Sequence, residues 1–203
     1  VVRATRAETL NNELADAHRL DYLIEQADTD QTAFSGPIAN WITDVYPNCD
    51  SATVTLGESA SSGVLKWEEE FEFSIAKQPG SNWVALAMHE LIDKGYDLSE
   101  KERMRNDKPA TFGIRSNRSY TITVQAEAGY EVQLNDYLNG SESNDVAHFE
   151  ATSKQLPDGG LEIQFNFNVK VSECQATQWP QYVAVRDAAY RFSQQLIVLR
   201  KKA

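Results

Sequence analysis

Hydrophobic residues recur at helical spacing in the first quarter of the chain. Between residues 4 and 27 they follow one another at intervals of mostly three or four positions, which places them on one face of an amphipathic helix. A second stretch of this kind begins at Pro37, runs to about residue 45 and ends before Pro47. We therefore predict that residues 1–48 form a helical N-terminal segment packed on the main domain. The apolar positions of the first helix are Leu10, Leu14, Ala17, Leu20, Leu23 and Ile24.

The hydrophobic spacing changes to two after residue 48. Residues 161–171 alternate apolar and polar side chains throughout, and residues 65–75 do so with the single exception of Glu69. Such alternation is typical of antiparallel strands that have one face on a core and the other in water. The sequence from Leu156 to Gly160 predicts a hairpin turn between two of these strands. The predicted strands are residues 52–56, 65–75, 119–126, 146–152 and 161–171.

Two more helices are predicted within and after these strands. One spans residues 82–94, between the turn at Pro79-Gly80-Ser81 and Gly95. The other begins at Pro180 and closes the domain. The fold class is thus α+β, a mainly antiparallel β-sheet or sandwich with N-terminal helices, one inserted helix and a C-terminal helix. Residues 49–203 form the antiparallel β domain with its closing helix.

Charge and hydropathy exclude several classes of partner. The 203 residues contain 19 Lys and Arg against 30 Asp and Glu, a formal net charge of -11. A field of this sign repels nucleic-acid backbones, so no nucleic-acid partner is expected. The longest apolar runs, such as residues 84–88, fall far short of the ~18 residues that a membrane-spanning helix needs. We therefore predict no membrane span.

The residue types that usually carry catalysis are not arranged in a catalytic pattern in this sequence. His89 and Glu90 begin a zinc-protease-like motif, but position 93, where the second histidine belongs, is Asp93. Glu68, Glu70 and Glu72 share one face of a strand at a spacing of nearly 7 Å, too wide for one cation without help from another strand. We predict no catalytic residue, no metal site and no cofactor.

Two cysteines leave two interpretations open. Cys49 precedes the first predicted strand of the β domain, and Cys174 follows the last one. If those strands are neighbours, both cysteines lie at one end of the sheet and form a disulfide, which requires Cα atoms within ~7 Å. The alternative is two separate, half-buried thiols. An oxidising compartment is a further condition for the disulfide.

The tryptophans beside turn signals also have two interpretations. Trp83 and Trp179 each stand next to such a turn, where an aromatic ring serves either as a core anchor or as an exposed contact for protein or carbohydrate. Core anchoring is the preferred prediction for both, because aromatic rings dominate core burial.

The order of features after residue 108 resembles a known family. A strand at 120–124 leads to Ala128-Gly129-Tyr130-Glu131-Val132, and a later segment begins Gln178-Trp179-Pro180-Gln181-Tyr182 and ends at 194–201. This order resembles the C-terminal region of bacterial secreted or periplasmic proteins that join a β-sandwich of unknown function to a transglutaminase-like core. The family's Cys, His and Asp set belongs to that core, and nothing in this chain matches it.

The resemblance implies a non-catalytic interaction or structural domain in a periplasmic or secreted protein. Its partner is then a separate protein or the remainder of the parent polypeptide. The chain begins at Val1 without a signal peptide, so we expect it to be processed or a fragment. An alternative function is that of a small-ligand carrier, in which the last helix closes over a curved sheet. A carrier needs a cavity of at least ~300 Å³, which we place among Phe71, Phe73, Phe165 and Tyr190.

Overall fold

A mainly antiparallel β-sheet architecture organises the chain. The computed structural model describes residues 2–11, 49–56, 64–73, 80–92, 96–105, 109–112 and 117–202. The strands are β1 (Val2–Asn11), β2 (Cys49–Leu56), β3 (Val64–Phe73), β4 (Trp83–Ala87), β5 (Ala110–Thr111), β6 (Asn117–Ala126), β7 (Tyr130–Val132), β8 (Gly140–Ser143), β9 (Ala147–Gln155), β10 (Leu161–Val169), β11 (Glu173–Cys174) and β12 (Leu196–Lys201). The helices are α1 (Glu100–Arg103) and α2 (Trp179–Ser193), with 3-10 turns at Met88–Glu90, Asp136–Leu138 and Ala176–Gln178.

Within the described residues, the larger sheet has seven strands in the order β2-β3-β1-β6-β10-β9-β8, and every neighbouring pair is antiparallel. One face is apolar and buried, because the side chains alternate along each strand. On β10, for example, Leu161, Ile163 and Phe165 are buried, whereas Gln164 between them is exposed. The opposite face of the sheet is polar.

A second layer covers the apolar face. It contains α2, which packs against β8 and β9, and a three-stranded sheet in the order β4-β12-β7. Phe192 of α2 lies 5.7 Å from Phe149 and 5.9 Å from Phe165, measured between ring centroids. Ile197 and Leu199 of β12 are buried in the same core. The two layers therefore enclose one continuous hydrophobic core.

The hairpin between β9 and β10 forms at the predicted turn. The amide of Leu156 donates to the carbonyl of Gly160 at 2.8 Å, and the amide of Gly159 donates back to the carbonyl of Leu156 at 3.0 Å. Gly159 has φ 89°, a left-handed conformation that a residue with a Cβ rarely adopts. The five predicted strands correspond to β2, β3, β6, β9 and β10, and the predicted closing helix is α2.

The helix predicted from residue 4 is wrong as far as residue 11, where the chain forms β1. Val2, Ala4 and Arg6 are buried, and Arg3 between them points to solvent. β1 pairs with β3 on one side and with β6 on the other, so its backbone groups are satisfied by ladders rather than by a helix. The rest of the predicted helical segment, 12–48, lies outside the described residues, and the division at residue 48 stays a prediction.

The inserted helix predicted over residues 82–94 is also wrong as far as residue 92, and residues 93 and 94 lie outside the described part of the chain. The chain forms β4 there, followed by the 3-10 turn at Met88–Glu90. A short apolar run does not distinguish a strand from a buried helix by itself. The decisive factor is β12, which pairs with β4 residue by residue from Leu196↔Ala87 to Arg200↔Trp83. The sequence analysis did not predict β12 as a strand.

Candidate functional site

The residues of the predicted carrier cavity lie in the core. Phe71 and Phe73 are fully buried and stack at 5.9 Å between ring centroids. Phe165 is 1% exposed, and Tyr190 is partly buried against the same core. Four aromatic rings surround Phe165 at centroid distances of 5.4 to 5.9 Å, namely those of Tyr96, Tyr120, Phe149 and Phe192. These side chains pack on one another, which favours a filled interior over a ligand cavity.

Two open cavities lie elsewhere, at the end of the larger sheet. Their volumes are about 300 and 370 Å³, and both are lined by Gln125, Ala126 and Glu127. None of the four predicted carrier residues lines either of them. The amide of Gln125 donates to Asp158 at 3.0 Å, and both residues line the smaller one. Both cavities are open depressions in the surface.

Both cysteines are free thiols in the structure. Cys49 Sγ donates to the carbonyl of Ser51 at 3.1 Å, and Cys174 Sγ approaches the carbonyl of Gln175 at 3.6 Å. Burial raises the pKa of each thiol, so both are held in the protonated, unreactive form. The structure therefore contains two separate buried thiols, and the disulfide is a matter for chemical measurement.

Buried charged side chains hold the turn after β4 beneath β1. Arg6 Nη1 donates to the carbonyl of Leu91 at 3.0 Å, and its guanidinium lies 5.3 and 5.0 Å from the rings of Phe71 and Tyr120. His89 Nε2 lies 3.6 Å from a carboxylate oxygen of Glu90. Within the described residues, no group of three His, Cys, Asp or Glu side chains has the geometry to hold a metal ion. The hydrogen bond from Arg6 connects β1 to the turn after β4.

Residues 96–105, here called the strap, pack along α2. Trp179 Nε1 donates to the carbonyl of Glu102 at 2.7 Å, and the guanidinium of Arg103 donates to Asp187. Asp187 raises the pKa of Arg103, which keeps the charge on the guanidinium. Arg186 Nε donates to the carbonyl of Tyr96 at 3.2 Å. The strap is thus fixed to the helix, and Trp179 is the core anchor that the sequence predicted.

Trp83 is not a core anchor, because 53% of its surface is exposed. It lies on the side of the three-stranded sheet that faces away from the core. We define the outer face by Trp83, Ala85, Ala87, Leu196 and Val198, which share one side because directly paired residues of antiparallel strands point the same way. Leu196 is 45% exposed, and the other three are partly buried. These five residues form an apolar surface that is open to solvent, and Arg200 and Glu131 border it at the Trp83 end.

One further exposed hydrophobic residue borders the outer face. Tyr137 is 43% exposed, and its Oη donates to the carbonyl of Leu196 at 3.0 Å, which holds Tyr137 beside it. Two other large hydrophobic side chains are exposed in the described part of the chain, Leu134 after β7 and Met104 on the strap. Sequence analysis did not single out Leu134, Tyr137 or Leu196, although the apolar run 196–199 was a signal.

No protein-family model, curated protein or solved structure matches this chain. Among the described helices, none has the length and hydrophobicity required to cross a membrane. The candidate site is therefore defined by its own geometry, a small apolar sheet face with an exposed tryptophan and a flanking tyrosine.

Proposed function

We propose that this chain is a non-catalytic interaction module that acts outside the cytoplasm as an accessory to a transglutaminase-like protein. The observation that carries the interaction role is the outer face, where Trp83 is 53% and Leu196 is 45% exposed, with Tyr137 beside Leu196 and 43% exposed. The transglutaminase-like partner and the extracytoplasmic location come from the sequence resemblance after residue 108.

Exposure of these apolar side chains to water is unfavourable in free energy. Each square ångström of apolar surface removed from water contributes roughly 25 cal/mol, so a partner that covers the side chains of Trp83, Leu196 and Tyr137 gains several kcal/mol. Exposed aromatic residues grouped with aliphatic ones are typical of binding surfaces, and tryptophan and tyrosine are enriched among the residues that dominate binding energy. The packing around Phe165 favours this function over the small-ligand carrier.

Calorimetric titration against a transglutaminase-like core tests the proposal. The core used is one encoded in the same genome as this chain, and it is expressed and purified separately. We expect a Kd below about 100 μM. The double variant Trp83→Ala, Leu196→Ser should weaken binding at least about tenfold, since each truncated anchor costs on the order of 1–2 kcal/mol.

Met104→Ser is the matched control, because Met104 is 68% exposed but lies on the strap rather than on the outer face. It should bind like the unaltered chain. Failure of the unaltered chain to bind the core would contradict the proposed function. An equal loss in the Met104→Ser variant would show that the outer face is not the surface used.

A further inference from the structure

Strand β4 lies at the edge of its sheet. It pairs with β12 on one side, and among the described strands none pairs with it on the other. The amide of Met88 donates to the carbonyl of Gln195 at 2.9 Å, and the amide of Lys201 donates to the carbonyl of Asn82 at 2.8 Å. These two bonds mark both ends of the ladder between β4 and β12.

The two bonds also determine which residues of β4 face the open edge. In an antiparallel pair, hydrogen-bonded positions alternate with positions whose backbone groups point the other way. Positions 82 and 88 bond to β12, so Val84 and Leu86 do so as well. The amide and carbonyl groups of Ala85 and Ala87 therefore point to the open edge, together with those of Trp83.

Ser81 closes one end of this edge. Its hydroxyl donates to the carbonyl of Trp83 at 2.7 Å and accepts from the amide of the same residue at 3.2 Å. The carbonyl of Ala87 accepts the first hydrogen bond of the 3-10 turn at Met88–Glu90, because Ala87 is the N-cap of that turn. The backbone groups left at the edge are therefore the amide and carbonyl of Ala85 and the amide of Ala87. Alanine side chains leave room for an incoming backbone, and an exposed row of such groups is a template for another strand.

Positive charge collects at the end of β12 that lies beside Trp83, in contrast to the net charge of -11 of the chain. Residues 191–202 contain no acidic residue. Arg200 is paired directly with Trp83 on one side and with Glu131 on the other, and Lys201 and Lys202 follow it. All three side chains are exposed, and no described acidic group lies within ion-pair distance of them. An acidic group of a partner would complement this end of the face.

We propose that the open edge of β4 binds an extended segment of a protein partner as an additional strand. Its apolar side chains cover the outer face, and its carboxylates lie beside Arg200, Lys201 and Lys202. This inference rests on the proposed interaction function and adds the mode of recognition and the chemistry of the bound segment. Main-chain hydrogen bonds to Ala85 and Ala87 give affinity, and the side chains give specificity.

Amide hydrogen exchange with a defined peptide tests the mode. The probe is the blocked peptide Asp-Asp-Val-Thr-Val-Thr-Val-Asp-Asp, and its control carries Lys in place of every Asp. We expect the acidic peptide to slow exchange of the Ala85 and Ala87 amides at least about tenfold, whereas the Val84 and Leu86 amides, already bonded to β12, change little. Protection at β2 or β8 instead, or equal protection by the lysine peptide, would overturn the proposal.

Proline substitution provides a second test. Ala85→Pro removes an amide that points to the open edge and leaves the ladder with β12 intact, a position that edge strands tolerate. It should abolish peptide binding, and Ala85→Ser, which keeps the amide, should retain it. If the proline variant unfolds, the peptide N-methylated at alternate residues serves instead. Two such peptides are compared, one methylated at the odd positions and one at the even positions. Only the peptide whose unmethylated amides face β4 should bind, and equal binding of both peptides would contradict strand addition.

A third comparison separates this mode from the proposed function and from lipid binding. The double variant Lys201→Glu, Lys202→Glu should weaken the acidic peptide and the transglutaminase-like core by about the same factor, on the order of three- to tenfold. If the core binds this variant and Ala85→Pro as tightly as it binds the unaltered chain, the recognition mode is wrong and the interaction function stands. If the chain sediments with phosphatidylserine vesicles and the peptide does not protect the Ala85 amide from exchange, the face binds a lipid surface and the proposal is overturned.

Discussion

Replacing Phe165 by alanine tests whether the two layers share one core. Phe165 is 1% exposed and stands where β10 meets the second layer, with ring contacts to Tyr96, Tyr120, Phe149 and Phe192. Truncation removes the ring and leaves a cavity that its neighbours only partly fill, so we expect a loss of about 4 kcal/mol in the free energy of unfolding. A chain of this size should then melt roughly 8–16 °C lower.

Urea unfolding followed by circular dichroism measures this loss. The midpoint should fall while the denaturant slope stays constant, because the same surface is exposed on unfolding. Gln164→Ala is the control, since Gln164 neighbours Phe165 on β10 but is exposed, and its change should stay within about 0.5 kcal/mol. A loss below about 1 kcal/mol for Phe165→Ala would refute the reasoning, because the ring would then not be packed as described.

Three other predictions follow from buried or paired groups. Alkylation without reductant should add two groups to the denatured chain and few to the folded one, because Cys49 and Cys174 are buried free thiols; a denatured chain that takes none is disulfide-bonded. Burial raises the pKa of both thiols and of Tyr182. The stability that their protonated forms contribute is fully present below the ordinary pKa values, about 8.5 for cysteine and 10 for tyrosine. It is lost as the pH rises through the raised values. Urea midpoints should therefore fall above pH 9, less steeply in Tyr182→Phe near pH 10–11, and a flat profile to pH 11 would contradict this. Arg103→Gln and Asp187→Asn should each speed chymotryptic cleavage of the strap several-fold, and the double variant should add little, whereas unchanged cleavage rates would show that the pair does not hold the strap.

Local patterning predicted the strands that the structure shows most clearly. Residues 161–171 alternate without interruption, and β10 carries this pattern with its apolar side in the core. The hairpin turn at Gly159 was also predictable, because a glycine with positive φ is a local requirement. For these elements the sequence nearby contains the information that determines the structure.

The errors concern strands whose structure depends on distant partners. β1 contains Ala4, Ala7 and Leu10, which suit a helix, but it is inserted between β3 and β6, more than fifty residues away in each case. β4 reads equally well as a buried helix until β12, over a hundred residues later, is known to pair with it. Helix propensity is a weak preference that such pairing overrides. The outer face was unpredictable for the same reason, since it exists only when β4 and β12 are paired.

Both ends of the described chain occupy inner positions in a sheet. β1 lies between β3 and β6, and β12 lies between β4 and β7, so each is hydrogen-bonded along both edges. The pairings are long-range, and such contacts form only after large loop-closure costs are met. The candidate site depends directly on the later one, because Leu196 and Val198 belong to β12 and Trp83 is presented on the strand that β12 holds. Folding of the C-terminal strand and formation of the outer face are therefore one event, and a change that displaces β12 removes the surface proposed for binding together with the layer that supports it.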